Sequence, residues 1–215
     1  MQKGYFITVE GGEGAGKTSV IELMTQYLST LGLESVSSRE PGGIDIAEQI
    51  RAIILDKSNT KMEGRTEALL YAAARRQHFV EKIQPSLAQG KVFICDRFID
   101  SSLAYQGHAR GLGMDEVLTI NQFAIENVFP DLTIYLDVNP EEGLRRIHAR
   151  SDREINRLDL ESLAFHQKVR EGYLILADRF PDRIVRIDAN GGIDEVYESV
   201  KGCLDSRFKK NSGAG

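Results

Sequence analysis

A glycine-rich segment close to the N-terminus constrains the fold of this chain more than any other part of the sequence. Residues 11–18 read GGEGAGKT and match the phosphate-loop pattern G-x-x-x-x-G-K-[S/T] at every fixed position. The β-branched and aromatic run 5–9 before them predicts a strand, and apolar residues at helical spacing follow them as far as Leu31. This order of strand, glycine loop and helix predicts a P-loop that binds a nucleoside triphosphate. The alternative is an ordinary glycine-rich turn.

Each residue type in this loop has a chemical reason to be there. Glycines allow successive backbone N–H groups to turn toward a phosphate chain, and the N-terminus of the following helix adds its partial positive charge. We expect Lys17 to reach the outer phosphates and the Thr18 hydroxyl to bind magnesium. The predicted triphosphate-binding residues are Gly11, Gly12, Glu13, Gly14, Ala15, Gly16, Lys17 and Thr18.

The bulk composition indicates a globular protein that works in water. Of the 215 residues, 41% are hydrophobic and 27% are charged, and the longest apolar runs are far shorter than the roughly 20 residues of a membrane helix. Cys95 and Cys203 lie far apart in the sequence, which favours two free thiols. The net charge of −5 argues against a nucleic-acid-binding surface. We therefore expect a cytoplasmic protein without membrane or nucleic-acid partners.

Strand-like and helix-like patterns alternate along the whole chain. After the first strand, further strands are predicted at 34–38, 92–95, 132–138 and 183–187, with helical patterns between them. The longest of these helices is predicted from about 65 to 87, and Asp159 is predicted to cap another that runs to about 177. This alternation predicts an α/β fold: a three-layer, doubly wound parallel sheet of about five strands, with ligands at the carboxyl ends of the strands. We expect one domain over residues 1–208 and a disordered tail at 209–215.

The segment after the third predicted strand separates this chain from the regulatory GTPases. Those proteins carry an N-K-x-D motif that reads guanine, and this motif is absent here. The strand that ends in Asp96 continues as Arg-Phe-Ile instead of as a D-x-x-G switch. Several arginines lie beside the predicted strand ends, and their position favours a functional role, although most single arginines in a protein are merely solvated.

Four further segments together resemble those of the bacterial thymidylate kinase family. They are VEG at 9–11, REPGG at 39–43, RTEA at 65–68 leading to RR at 75–76, and DRFIDSSLAYQG at 96–107. The resemblance covers nearly the whole chain in the right order, and the last segment is the most specific. It implies a P-loop kinase fold and transfer of the γ-phosphoryl group of ATP to dTMP, with Mg²⁺ as the cofactor. It also implies a homodimer.

The chemistry of such a transfer agrees with the residues present. Two polyanions must be neutralised, and an ionised acceptor phosphate needs no general base. The resemblance implies that Arg97 bridges toward the acceptor phosphate, that Arg39 and Arg51 assist, and that Asp96 holds magnesium through water. It further implies a lid at about 145–158 that closes over ATP. The predicted catalytic residues are Lys17, Arg97, Arg150, Arg153 and Arg157, and the predicted magnesium residues are Thr18, Asp96 and Glu13.

A second group of residues is implied to bind dTMP. Tyr71 and Arg75 stand at i and i+4, so a flat ring and a planar set of donors share one helix face. The resemblance places Tyr71 on thymine and Arg75 at its O4 oxygen, whereas simple core packing is the alternative for Tyr71. The full predicted set is Glu13, Arg39, Glu40, Arg51, Tyr71, Arg75, Arg97, Ser102, Tyr105 and Gln106, with Asp188 and Asn190 beside the adenine.

Two other functions stay open from the sequence. One is a kinase for another pyrimidine monophosphate or for a deoxynucleoside, which would use the same cleft. The other is a nucleotide-binding module without turnover, although the intact Lys17, Thr18, Asp96 and Arg97 argue against it. Some members of the family carry an arginine where this chain has Gly14. Its absence here implies that the lid supplies the catalytic positive charge.

Overall fold

Five parallel strands form the centre of the molecule. The computed structural model describes residues 4–149 and 157–209. The strands are β1 (Tyr5–Gly11), β2 (Ser35–Arg39), β3 (Val92–Asp96), β4 (Leu132–Asp137) and β5 (Ile184–Asp188). They pair in the order β2-β3-β1-β4-β5, and every pair is parallel. The predicted doubly wound α/β sheet is confirmed.

Helices cover both faces of this sheet. They are α1 (Lys17–Thr30), α2 (Asp45–Leu55), α3 (Gly64–His78), α4 (Gln84–Ala88), α5 (Ile99–Ser102), α6 (Met114–Ile125), α7 (Pro140–His148), α8 (Leu163–Arg179) and α9 (Ile193–Phe208). A 3₁₀ turn at Leu158–Leu160 precedes α8. None of the helices in the described ranges is long and apolar enough to cross a membrane.

Two helices contain π-helical turns, which the sequence pattern does not reveal. The long helix predicted between 65 and 87 is α3 followed by a π turn at Phe79–Ile83 and then α4. A second π turn at Leu103–Ala109 extends α5. Such turns change the direction of side chains along a helix and occur often at functional sites. Tyr105 and Gln106 lie on the second π turn, and both line the cleft described below.

The two faces of β1 bury different kinds of side chain. Ile7 and Val9 belong to an apolar cluster that includes residues of α1 and α9. On the opposite face, Phe6 belongs to the other apolar cluster, and Thr8 and Glu10 share that face because side chains alternate along a strand. Thr8 and Glu10 are both fully buried. A buried polar layer therefore leads along this face toward the carboxyl end of the strand.

The start of α8 differs from the prediction. The sequence suggested Asp159 as the N-cap of this helix, but that prediction is wrong. The helix begins at Leu163, and the Ser162 hydroxyl accepts a hydrogen bond from the backbone N–H of Phe165 at 3.2 Å. The 3₁₀ turn occupies the residues around Asp159 instead. A serine hydroxyl satisfies one of the free N–H groups of the first helical turn equally well.

Candidate active site

A cleft of about 1000 Å³ opens at the carboxyl ends of β1, β2 and β3. This is where open parallel sheets bind their ligands. Most of the predicted site residues line it: Glu13, Gly14, Ala15, Gly16, Lys17, Thr18, Arg39, Glu40, Arg51, Tyr71, Arg75, Asp96, Arg97, Ser102, Tyr105, Gln106 and Asn190. The structure therefore brings residues from the whole length of the chain into one site.

The P-loop holds its lysine across its own backbone. Lys17 Nζ donates hydrogen bonds to the carbonyl oxygens of Gly11 at 3.1 Å and Gly12 at 3.0 Å. Burial, followed by the nearby charge of Arg97, lowers the pKa of Lys17 to about 8. The ammonium group is thus fixed above the loop in a place where it lacks much of its hydration. An anionic ligand would restore the lost stabilisation of its charge.

A close backbone contact ties the P-loop to α7. Gly14 has φ of +71°, and a Cβ at this position would lie 2.1 Å from the carbonyl oxygen of Gly143. A Cβ on Gly143 would likewise lie 2.2 Å from the carbonyl oxygen of Glu13. Both positions therefore require glycine: neither has room for a Cβ, and Gly14 also has a backbone conformation that favours glycine. An arginine at position 14 does not fit this arrangement of the loop and α7.

Arg97 occupies a bend directly after β3. Its φ is +66°, in the left-handed region that residues with a Cβ seldom adopt. The Glu10 carboxylate accepts the backbone N–H of the next residue, Phe98, at 2.7 Å and so holds the bend. The Arg97 guanidinium donates to the carbonyl oxygen of Gly11 at 3.1 Å and to Glu13 Oε1 at 2.5 Å. The bend therefore directs the Arg97 guanidinium onto the P-loop.

The electrostatic surroundings keep Arg97 charged. Burial alone would lower the pKa of Arg97, but the Glu13 carboxylate and the neighbouring tyrosines raise it well above its usual value. Its Nη1 also lies 3.1 Å from the Tyr105 hydroxyl. Tyr105 lies 3.2 Å from Glu13 Oε1, so the three side chains form one cluster at the centre of the cleft.

The three residues predicted to bind magnesium have suitable atoms. Asp96 Oδ1 is buried and has no hydrogen-bond partner in the part of the chain that the structure describes. The Thr18 hydroxyl is exposed at the start of α1, and Glu13 lines the same cleft. Carboxylate and hydroxyl oxygens are the ligands that Mg²⁺ prefers, usually together with water. The donor set therefore fits this cation.

A buried arginine forms the floor of the other half of the cleft. Arg75 is only 1% exposed. Its Nε donates to Glu40 Oε2 at 2.7 Å, and its Nη2 donates to the carbonyl oxygen of Phe98 at 2.8 Å. Its Nη1 donates to the Ser102 hydroxyl at 3.0 Å and to the Asn121 side chain. A guanidinium held from so many directions has a fixed orientation before any ligand arrives.

Glu40 links Arg75 to a buried histidine. Its second carboxylate oxygen, Oε1, lies 2.9 Å from Nδ1 of His78, which is fully buried. The other ring nitrogen of His78 lies 2.8 Å from the Ser38 hydroxyl. Glu40 was predicted to bind substrate, and both of its carboxylate oxygens are here occupied by protein side chains. Its geometry is that of a residue that orients Arg75.

Arg39 and Arg51 lie on the rim of this half. Arg39 is about half exposed and donates to Glu48 at 2.9 Å. Arg51 donates to the carbonyl oxygen of Pro41 at 2.9 Å. Burial, followed by the charge of Arg39, lowers the pKa of Arg51. Two positive groups that disfavour each other in this way favour the arrival of an anion between them.

The opposite end of the cleft is bordered by α7 and by the loop after β5. Arg146 donates to the carbonyl oxygens of Ala189 at 2.9 Å and Asn190 at 2.9 Å, and so fixes the loop after β5. Asn190 lines the cleft, whereas Asp188 does not; its carboxylate accepts from the Asn190 backbone at 3.0 Å. Asp188 therefore shapes the loop. No role was predicted for Arg146, although it lies within the predicted lid at 145–158.

The predicted lid arginines are only partly described. Arg150 and Arg153 lie outside the described residues. Arg157 is described but does not line the cleft. It donates to the carbonyl oxygen of Ile54 at 2.9 Å and to the buried carboxylate of Glu67. In this arrangement Arg157 anchors the end of the predicted lid to α2 and α3.

Two buried residues behind the cleft were not predicted. Glu67 accepts a hydrogen bond from Gln106 Nε2 at 2.8 Å, and Asn121 contacts Arg75 from α6. Glu67, Tyr71 and Arg75 recur every four residues, so they share one face of α3. That spacing could have identified Glu67 as a residue near the site. No local pattern pointed to Asn121.

Comparisons with known proteins agree with this architecture. The family model described as thymidylate kinase matches residues 9–200. Thymidylate kinase of Clostridium novyi is 59% identical over 204 residues, which cover 95% of this chain and 100% of that protein. Thymidylate kinase of Halalkalibacterium halodurans is 61% identical over 208 residues, covering 97% and 99%. The crystal structure of thymidylate kinase from Ehrlichia chaffeensis has a TM-score of 0.75 at 33% identity and covers 94% of this chain and 99% of that one. The chain therefore belongs to the thymidylate kinase family.

Proposed function

We propose that this chain transfers the γ-phosphoryl group of ATP to dTMP and releases dTDP and ADP. The observation that carries this proposal is the junction of two sites in one cleft: a P-loop at one end and a buried, fully oriented Arg75 at the other. Its relatives carry the name of that activity. Nothing in the cleft or among these relatives favours another acceptor or a module without turnover.

The residues of the P-loop and β3 act on the two phosphate groups. Lys17 neutralises the outer phosphates of ATP, and Arg97 binds the acceptor phosphate and the transferred group. Thr18, Asp96 and Glu13 would hold a magnesium ion together with water, and the ion would neutralise part of the phosphate charge. Since an oxygen of the acceptor phosphate is already ionised, the chain needs no proton acceptor, and catalysis rests on position and charge.

The other half of the cleft selects the acceptor. Tyr71 stacks on the thymine ring, Arg75 donates to O4, and Ser102 and Gln106 face the pyrimidine edge. Tyr105 lies beneath the sugar and excludes a 2′-hydroxyl. Its hydroxyl is tied to the Arg97 and Glu13 cluster, which gives the ring a fixed place. The rim arginines Arg39 and Arg51 add positive charge near the acceptor phosphate.

A lid completes the donor side in this proposal. We take residues 1–208 as one domain in which the segment 145–158 closes over ATP. Arg153 is the first candidate for contact with the transferred phosphoryl group and Arg150 the second, whereas Arg157 holds the end of the lid through Glu67. Such an arginine typically accelerates phosphoryl transfer by about 10³ to 10⁵. Closure also excludes water that would otherwise compete as acceptor.

A coupled assay for ADP release tests the activity. With magnesium and ATP, kcat/KM should be highest for dTMP among dTMP, dUMP, UMP, CMP and thymidine. The Lys17→Ala variant should be about 10² to 10³ times slower, because a preorganised positive charge is lost. Faster turnover of thymidine or CMP than of dTMP would contradict the proposal.

We also propose that the protein is a homodimer. Two large apolar side chains are exposed on neighbouring helices: Phe123 on α6 is 89% exposed, and Leu69 on α3 is 56% exposed. The two helices pack against each other, and a contiguous exposed apolar patch marks a protein interface. Sedimentation should give twice the monomer mass, and Phe123→Asp should shift the species toward monomer. The surface variant Lys201→Asp, on α9, is the matched control and should stay dimeric.

A further inference from the structure

Glu67 is a buried carboxylate behind the acceptor half of the cleft. It is 1% exposed and does not line the cavity. Gln106 Nε2 donates to its Oε1 at 2.8 Å, and Arg157 donates to its Oε2. Arg110 lies 3.4 Å from both carboxylate oxygens. Gln106 therefore contacts Glu67 on one side and the cleft on the other.

The carboxylate of Glu67 carries a negative charge. Burial alone would raise its pKa, but the hydrogen bond from Gln106 and the charges of Arg110 and Arg157 lower the pKa below its usual value. An ionised carboxylate has no hydrogen to donate and only accepts hydrogen bonds. The atom of Gln106 that faces it must therefore be the amide nitrogen.

This contact decides which atom Gln106 presents to the cleft. A glutamine amide has one donor branch and one acceptor branch. With the nitrogen branch held by Glu67, the carbonyl Oε1 forms the other branch. No donor within residues 4–149 or 157–209 contacts Gln106 Oε1. The acceptor half thus contains one fixed acceptor that is free for a ligand.

Arg75 supplies the complementary group. Four of its five N–H groups are taken up by Glu40, Ser102, Asn121 and the carbonyl oxygen of Phe98. One N–H of Nη2 has no acceptor among the described residues. Arg75 cannot accept a hydrogen bond in any orientation. The pocket therefore offers one obligatory donor and one acceptor whose direction depends on Glu67.

We propose that Glu67 is a specificity-determining positioning residue, which orients the Gln106 amide so that the pocket accepts keto pyrimidines and rejects amino pyrimidines. Thymine presents an N3–H donor to Gln106 Oε1 and an O4 acceptor to Arg75. Cytosine reverses both groups, since its N3 accepts and its N4 amine donates. With the amide fixed by Glu67, cytosine leaves the Gln106 carbonyl oxygen and the remaining Arg75 N–H without partners. Unpaired buried polar groups of this kind reject a ligand strongly. This inference rests on the proposed function.

The test compares dTMP with dCMP in the Glu67→Gln variant. A neutral amide at position 67 both donates and accepts, so it satisfies either orientation of Gln106. The ratio of kcat/KM for dTMP to that for dCMP should fall by about tenfold or more, the usual scale of one well-placed pair of hydrogen bonds. Because the contact of Glu67 with Arg157 anchors the predicted lid, KM for ATP is measured in the same variant, and only the ratio of the two acceptors reports on Gln106.

Two further variants separate orientation from general damage. Arg110→Gln removes an ionic partner of Glu67 but keeps its contact with Gln106, and its dTMP to dCMP ratio should match that of the unmodified chain. The double variant Glu67→Gln/Gln106→Glu exchanges the amide and the carboxylate, and it again presents an acceptor to the cleft. It should recover most of the preference for dTMP, and it keeps the charge of the pair if the single variant fails to fold.

The outcomes distinguish this inference from the proposed function. An unchanged ratio in a folded Glu67→Gln variant that still phosphorylates dTMP would overturn the role of Glu67 alone. A double variant that fails to regain the preference would also overturn it. Absence of dTMP turnover in the unmodified chain would instead contradict the proposed function, before any variant is compared.

Discussion

The two halves of the cleft differ in how their polar groups are held. In the acceptor half, Arg75, Glu40 and Gln106 are buried and joined by hydrogen bonds between side chains. In the donor half, Thr18 is exposed, and the Arg145 side chain is 69% exposed. A wrong ligand leaves a buried group unsatisfied, whereas an exposed group turns to water. We therefore expect the acceptor half to select its base strictly and the donor half to select its base less strictly.

Exchange of the bases gives the largest expected effect. The kcat/KM for dTMP should exceed that for dCMP by about 10³ or more, because the buried polar groups of the acceptor half reject a base with reversed donors and acceptors. ATP and GTP should differ by only about tenfold, because the lining residues 190–193 at the far end of the donor half are exposed. Steady-state assays with each pair measure both ratios. A larger ratio for the two donors than for the two acceptors would contradict the expected difference between the halves.

Matched substitutions of one arginine in each half should give the second-largest effect on the kinetic constants. In Arg75→Lys, an ammonium group cannot serve Glu40, Ser102 and Asn121 at once, so kcat/KM for dTMP should fall by about 10² and the melting temperature should fall with it. In the donor half, Arg145→Lys should change KM for ATP by less than about threefold. Equal losses in the two variants would show that burial does not distinguish the halves.

The donor half should show its own pH dependence through Lys17. Its pKa is about 8 without ligand, and bound phosphates favour the charged form and raise the pKa. Nucleotide binding therefore takes up a proton, and affinity is constant below pH 8 and falls as pH rises through this value. Between pH 7 and 9 the loss should be about tenfold.

Titration calorimetry in buffers of different ionisation enthalpy measures this proton uptake. Lys17→Met should bind more weakly and lose the pH dependence. The dTMP affinity of the unmodified chain is the internal control for general alkaline effects. If Lys17→Met keeps the same pH dependence, another group is responsible.

The smallest effect is expected at Tyr71. Burial and the charge of Glu67 raise the pKa of Tyr71 above its usual value, so its hydroxyl is not ionised at any working pH. Tyr71→Phe keeps the ring that stacks on the base, and kcat/KM for dTMP should change by less than about threefold. Tyr71→Ala, which removes the ring, should lower it far more. A large loss in Tyr71→Phe would assign the recognition to the hydroxyl instead.

The sequence predicted those parts of the site that depend on local pattern. The P-loop, the strand ending in Asp96 and the shared face of Tyr71 and Arg75 are all visible in short segments. The contact of Gln106 with Glu67 spans 39 residues, and that of Phe98 with Glu10 spans 88 residues. Such contacts depend on how α3, the second π turn and β1 pack together, which no local spacing encodes.

The π turns were missed for a related reason. The apolar stripe from 65 to 87 predicts one continuous helix, and a single wider turn hardly changes that stripe. The cap of α8 was missed because Asp159 and Ser162 are both good capping residues, and only the packing of the preceding turn decides between them. The predicted roles of Arg150 and Arg153 stay predictions.

The contact between Gly14 and Gly143 limits how this enzyme can evolve. A side chain at either position collides with the backbone of the other segment. An arginine therefore cannot be accommodated at position 14 of the P-loop by one substitution, since α7 would have to shift first. Intermediates along such a path would carry a displaced helix before they gained any new charge. The distance between these two backbones thus decides whether the P-loop can carry a side chain at position 14.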